Sequence, residues 1–177
     1  MLSKLERLLL PPASSACTSP DWVKVESEYS IKLPADYKAF VERYGGGSID
    51  DFLWVIDPFS RSPHMNFDKS EYFRESYALM KVDFPQDYPR PAYPAHGSFW
   101  PWAFTENGDT LVWVVDDEPD SWPVALHSAD QGEEVVFSCG CIEVLCKLLG
   151  REIHSHILPN DFPSSKGFPY SFAPLRK

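Results

Sequence analysis

The sequence predicts an α+β fold, a single domain with a mainly antiparallel sheet and helices packed on one face. Segments near both ends of the chain carry apolar residues at helical spacing. Between them, short apolar runs alternate with acidic turns, which is typical of an antiparallel meander. The strongest turn signal is Asn107-Gly108, because Asn-Gly between two apolar runs favours a tight hairpin.

Five helical segments are predicted. In each, apolar residues recur every three or four positions, which gives one side of a helix a continuous apolar face. Residues that favour helix ends support the boundaries: Ser19, Asn66 and Ser138 as N-caps, and the glycines that follow Tyr44. The segments are residues 1–10, a helix that begins at Ser19-Pro20-Asp21, a helix from Pro34 to Tyr44, residues 67–81, and a helix after Ser138 that carries Ile142, Leu145, Leu148 and Leu149.

The predicted strands are short runs rich in aromatic and β-branched residues. They cover residues 49–56, 99–105, 110–115, 122–127 and about 135–137. After residue 153 the pattern ends in a segment rich in Pro, Ser and Gly. We therefore expect one domain over residues 1–177, with its core at about 15–151. The extension at 152–177 either packs on that core or mediates self-association, and the sequence leaves the oligomeric state open.

The negative charge is concentrated in one segment. The chain has 26 acidic and 16 basic residues, a net charge of −10, yet residues 91–146 contain ten acids and no Lys or Arg. Such a local negative field attracts basic partners and repels nucleic acid. No apolar run is long enough to cross a bilayer. We therefore expect a protein partner, no nucleic acid and no membrane.

The acidic turns and a neighbouring tryptophan are the candidate binding residues. Trp beside acids resembles the composition of an interface hot spot, so one or two of the tryptophans at 100, 102, 113 and 122 are candidate anchors, although most are expected in the core. The candidate binding residues are Glu106, Asp109, Asp116, Asp117, Glu118, Asp120, Trp122, Asp130, Glu133 and Glu134.

No catalytic, metal or cofactor motif is found. The four cysteines and five histidines match no zinc spacing, and reduced thiols in a cytoplasmic protein are the simplest explanation. Gly45-Gly46-Gly47 lacks the Lys-Ser/Thr of a phosphate-binding loop. One alternative stays open: Cys139 as a nucleophile with His127 as its base. Otherwise we expect no enzyme activity, no catalytic residue, no metal and no cofactor.

Two stretches of the chain resemble the SUKH superfamily, which contains bacterial toxin-immunity proteins and the fungal cell-wall-synthesis regulator. The first is Ile31-x-Leu33-Pro34-x-Asp36-Tyr37-x-x-Phe40 followed by Tyr44-Gly45-x-Gly47-x-Ile49. The second is Thr105-Glu106-Asn107-Gly108-Asp109 with Leu111-x-Trp113, which is similar to the family's central hairpin. The resemblance covers about residues 15–151 and implies an α+β fold and a binding role.

The resemblance and the charge together favour an immunity protein that neutralises a cognate toxin. A toxin that acts on nucleic acid is expected to be basic, and an acidic inhibitor would attract it. The alternative is a regulatory scaffold or adaptor without a toxin partner.

Overall fold

The chain folds into five α-helices and seven strands within the residues that the computed structural model describes, 1–13, 19–130, 132–164 and 168–175. The longest of these helices has 17 residues. None of them combines the length and apolar character that crossing a bilayer requires. The helices are α1 (Leu2–Leu8), α2 (Trp22–Glu28), α3 (Ala35–Tyr44), α4 (Phe67–Asp83) and α5 (Cys141–Leu149). The strands are β1 (Gly47–Ile49), β2 (Leu53–Val55), β3 (Phe99–Thr105), β4 (Thr110–Val114), β5 (Val124–His127), β6 (Glu134–Phe137) and β7 (Phe172–Pro174).

The strands form one sheet in the order β6-β5-β4-β3-β2-β1-β7, and every neighbouring pair is antiparallel. The predicted α+β class and antiparallel sheet are therefore confirmed. The Asn107-Gly108 hairpin joins β3 to β4, and Gly108 adopts a φ of 90°, which a residue without a side chain tolerates best.

Residues 49–56 form a hairpin, so the prediction of one continuous strand was wrong. Asp50 and Asp51 have φ values of 56° and 52°, and they reverse the chain between β1 and β2. Aspartate tolerates this left-handed conformation better than most residues, because its short side chain hydrogen-bonds locally.

The helices lie on both faces of the sheet, which corrects the prediction that they pack on one. In β4, Leu111 and Trp113 belong to the main core with α1, α3 and α5. Val112 points the other way and belongs to a second cluster with Tyr77 of α4 and Phe99 of β3. Since successive side chains of a strand point to opposite faces, α4 reaches the face opposite the other helices with Tyr77, whereas Phe67 at its start belongs to the main core.

The helix boundaries differ slightly from the predicted ones. The N-cap of α2 is Asp21, whose carboxylate accepts a hydrogen bond from the amide of Lys24 at 3.0 Å, rather than Ser19. The N-cap of α5 is Gly140 rather than Ser138. Asn66 caps α4 as predicted.

The C-terminal extension packs on the domain through backbone pairing. Strand β7 adds to the sheet beside β1, and Tyr170 forms a bridge with Leu9 at the end of α1. Gly47 allows this approach, because a Cβ at that position would lie 2.3 Å from the carbonyl oxygen of Ala173. Both ends of the chain therefore contribute to the main core.

Glu26 of α2 is a buried carboxylate that joins α2 to α3. It accepts hydrogen bonds from the amide of Leu33 at 3.0 Å, from Lys32 at 2.9 Å and from Lys38 at 2.6 Å. Burial alone would raise the pKa of Glu26, but these hydrogen bonds outweigh it and lower the pKa from 4.5 to about 2. The ionised form is therefore the one that stabilises the fold.

We expect Glu26→Gln to lower the free energy of unfolding by about 2–3 kcal/mol at neutral pH. Because the folded pKa lies below the unfolded one, this contribution is present above pH 4.5 and is lost as the pH falls towards about 2. Urea unfolding of both proteins across this range measures it. The two stabilities should converge at the acidic end, and a difference that does not change with pH would contradict the ionic origin. Glu152→Gln, which removes an exposed ion pair with Lys4, is the control and should change stability less.

Candidate functional site

The candidate acids fall into two groups at opposite ends of the meander. The β3–β4 and β5–β6 turns lie at one end of the sheet and the β4–β5 turn at the other, because successive strands are antiparallel. Asp109 and Asp116 flank β4 and are seven residues apart, which separates the groups by about 23 Å at the rise of an extended strand. We name the group Asp116, Asp117, Glu118 and Asp120 the acidic turn, and the group Glu106, Asp109, Asp130 and Glu133 the hairpin end.

The acidic turn is exposed and held in shape by local hydrogen bonds. The carboxylate of Asp116 accepts from the amide of Asp117 at 2.7 Å, and the hydroxyl of Ser121 donates to the carbonyl of Glu118 at 2.7 Å. A short 3-10 helix, Pro119–Ser121, shapes the rest of the turn. All four carboxylates of the turn are at the surface.

Two carboxylates of the acidic turn make polar contacts with other parts of the chain. Asp120 accepts a hydrogen bond of 2.6 Å from the amide of Ala35, which is one of the unpaired amides at the start of α3. The imidazole of His96 lies 3.0 Å from the carboxylate of Asp116 and is itself exposed. Asp117 and Glu118 have no side-chain partner among the described residues.

The hairpin end holds most of its acids in internal contacts. Glu106 accepts a hydrogen bond from the indole of Trp54, and Glu133 lies 2.5 Å from the imidazole of His156. Asp109 is buried and accepts from the hydroxyl of Thr105 at 2.9 Å and the amide of Ala129 at 3.2 Å. Asp109 therefore fixes the turn and is not a surface residue, contrary to its place in the predicted binding set.

A polar cavity of about 260 Å³ lies at the hairpin end. Its walls include Asn107, Asp130 and Glu133, and the buried Asp109 also contributes to them. Asp50 and Asp51 belong to the same end, because β2 begins beside the last residues of β3. The carboxylate of Asp50 is bound to the amide and hydroxyl of Ser164.

The predicted set did not include Asp51, which is exposed at the hairpin end. It is distant in sequence from the other acids there. An Asp-Asp pair between two apolar runs is the signal that would have revealed this turn.

Glu134 and Trp122 are two further predicted binding residues that internal contacts make poorly accessible. Glu134 forms a two-bond ion pair with Arg90 and is partly buried. Trp122 is 5% exposed, lies in the main core and donates its indole N–H to the carbonyl of Asp116 at 2.7 Å. Trp100, Trp102 and Trp113 are buried too, so none of these four rings is an exposed interface anchor.

The alternative of a cysteine nucleophile finds no geometric support. Cys139 follows β6 beside Val124, whereas His127 lies at the other end of β5, about 10 Å further along the strand. His127 also faces α4, where it packs between Tyr77 and Tyr88. Burial raises the pKa of the Cys139 thiol, which disfavours the reactive thiolate.

Among the described residues, no group of three or more His, Cys, Asp or Glu side chains is arranged to hold a metal ion. Cys139, Cys141 and Cys146 are free thiols, and Cys17 lies outside the described residues.

The model of the SMI1/KNR4 family (SUKH-1) matches residues 16–140, which is more than two thirds of the chain. The chain belongs to this family. The SUKH-1 family comprises toxin-immunity and regulatory proteins, and it is generally non-catalytic and associated with protein–protein interaction. Neither the curated proteins nor the solved structures contained a match to the chain.

The motif that this SUKH-1 domain carries is structural. Asp36 accepts a hydrogen bond from the amide of Ile142 at 3.1 Å and so caps α5. The hydroxyls of Tyr37 and Tyr44 donate to the carbonyls of Ile56 and Leu9, both at 2.7 Å. These residues of the family signature thus hold α3 to its neighbours, and none of them belongs to the acidic turn.

Proposed function

We propose that this SUKH-1 domain is an immunity protein that binds and neutralises a basic, nucleic-acid-targeting toxin, with the acidic turn as its main contact. The hairpin end is the weaker candidate, because its acids are mostly engaged by Trp54, His156 and the turn backbone.

One observation carries this proposal: the carboxylates of the acidic turn lack a Lys or Arg partner in the described part of the chain. Five acids elsewhere in the fold are, by contrast, paired with Lys or Arg within the molecule. These pairs are Glu6–Arg43, Glu26 with Lys32 and Lys38, Glu134–Arg90, Glu143–Lys147 and Glu152–Lys4. Like charges held close together without partners cost stability, so a bound basic surface would relieve that repulsion.

The chemistry of a nuclease-type toxin suits this surface. A protein that acts on nucleic acid binds phosphates with Lys and Arg. The acidic turn presents carboxylates within five consecutive residues, Asp116 to Asp120, and can occupy such a phosphate-binding surface. Complementary charge also speeds the encounter of the two proteins.

The test has two steps. The tagged chain captures its partner from cells of its source at low and high salt, and mass spectrometry identifies it. The partner is then expressed with and without the chain, and cell growth is measured. We expect growth to be restored by the chain and not by the variant that has lysine at Asp116, Asp117 and Glu118. A partner that binds but has no toxicity for the chain to relieve would favour the regulatory role instead.

A further inference from the structure

A cleft of about 340 Å³ lies between α4 and the proline-rich loop that connects α4 to β3, residues 84–98. None of the candidate binding acids lines it. A volume of this size suits a small ligand. Its walls combine cationic and aromatic side chains, among them Arg74, Lys81, Tyr77, Tyr93 and Phe99.

Arg74 brings to this cleft a guanidinium that is stacked on aromatic rings. Its guanidinium carbon lies 4.5 Å from the ring centroid of Trp100 and 5.0 Å from that of Tyr93. Within the described residues it makes no hydrogen bond and no ion pair. The rings stabilise the cation through their π faces but do not satisfy its N–H donors. A fork of donors is therefore available to a ligand.

Lys81 adds a second cation with neutral partners. Its ammonium donates to the main-chain carbonyls of Pro89 at 3.1 Å and Arg90 at 2.6 Å. The side chain of Arg90 is neutralised by Glu134. Arg74 and Lys81 are thus the two cations of the cleft that have no direct ion-pair partner among the described residues.

Two exposed acids limit the negative charge that a ligand of this cleft can carry. Glu71 and Glu75 also line the cleft, on the same helix as Arg74. They balance the two free cations at longer range, so a polyanion such as a nucleic acid strand would be repelled. A single carboxylate, whose two oxygens fit the guanidinium fork, matches the site best.

The aromatic walls are fixed in place before any ligand arrives. The hydroxyl of Tyr93 donates to the carbonyl of Ser30 at 2.6 Å, and that of Tyr77 accepts from the amide of Arg90 at 3.0 Å. Tyr77 also packs on Phe99, with ring centroids 4.5 Å apart. Preformed walls lower the ordering cost of binding and favour a flat apolar body.

We propose that this cleft is a binding site for a small aromatic carboxylate, with Arg74 and Lys81 binding the carboxylate and the tyrosines and Phe99 contacting the ring. The site is independent of the toxin-binding function proposed above. It would make the SUKH-1 domain a sensor or carrier of such an anion.

The probe is 2-naphthoate, and its neutral isostere 2-naphthamide is the matched ligand control. Calorimetric titration should show saturable binding of the naphthoate and at least about tenfold weaker binding of the amide, because a hydrogen-bonded charge pair is lost. In NMR spectra, the side-chain Nε–H signal of Arg74 should shift with naphthoate. Equal affinity for the two compounds, or no saturable binding in the millimolar range, would overturn the proposal.

Protein variants locate the site. Arg74→Gln and Lys81→Gln should each weaken naphthoate binding, Arg74→Gln by about tenfold or more. Lys81→Gln is the second variant because Lys81 bonds only two loop carbonyls, so we expect this variant to fold even if Arg74→Gln unfolds. Arg61→Gln, an exposed arginine before α4, is the control and should bind as the wild type does. Unchanged affinity in both folded cleft variants would place the ligand elsewhere.

Discussion

Replacing Asp116, Asp117 and Glu118 together with lysine is expected to slow association with the basic partner by about 10- to 1,000-fold at low ionic strength. Each substitution changes the charge by +2, so the net charge changes from −10 to −4. Asp120 is left in place because it caps the start of α3 through Ala35. Association rates measured over a series of salt concentrations should also depend less steeply on salt.

The matched control places the same three charges at the other end of the sheet. Lysine at Glu106, Asp130 and Glu133 gives the same net charge of −4. The two groups are about 23 Å apart, whereas the screening length near physiological salt is about 8 Å. At that salt the control should associate nearly as fast as the wild type. Equal slowing by both variants would mean that net charge alone steers the partner, and that the acidic turn is not the contact.

The division of the acids into two surfaces could be predicted from the antiparallel meander. Successive turns of an antiparallel meander lie at alternate ends of the sheet, so the acids at 106–109 and at 116–120 had to separate. The internal contacts of these acids could not be predicted from the sequence. Glu134 pairs with Arg90, which lies 44 positions earlier in the chain. The charge pattern shows where acids are dense, but tertiary contacts decide which of them are free.

The fold was predictable where local signals were strong. The helix at 67–81 and the hairpin at Asn107-Gly108 were both found in the structure. Strand β7 has only three residues and forms because Gly47–Ile49 offers it a backbone partner, a contact that no local pattern encodes. The position of α4 was missed for a similar reason, since Tyr77 packs on Phe99 and Val112 of the far face rather than on the other helices.

We expect Trp122→Ala to lower the free energy of unfolding by about 3–5 kcal/mol. Trp122 is the point at which the acidic turn is attached to the core. Its ring is buried in the main core, 6.3 Å from the ring of Trp113, and its N–H holds the carbonyl of Asp116. Removing the ring leaves a large cavity and frees the turn at the same time. Urea unfolding measures the loss, and amide exchange of residues 117–121 should accelerate.

Trp122→Phe separates the two contributions. It keeps an aromatic ring in the core but removes the hydrogen bond to Asp116, so a smaller loss of stability is expected, with faster exchange in the turn. Binding should weaken in both variants only as far as the turn loses its fixed shape, since the ring itself is 5% exposed. An alanine variant that unfolds like the wild type yet binds the partner poorly would contradict this. In that case Trp122 would be an interface anchor, and the surface presented to the partner would include the ring as well as the carboxylates of the acidic turn.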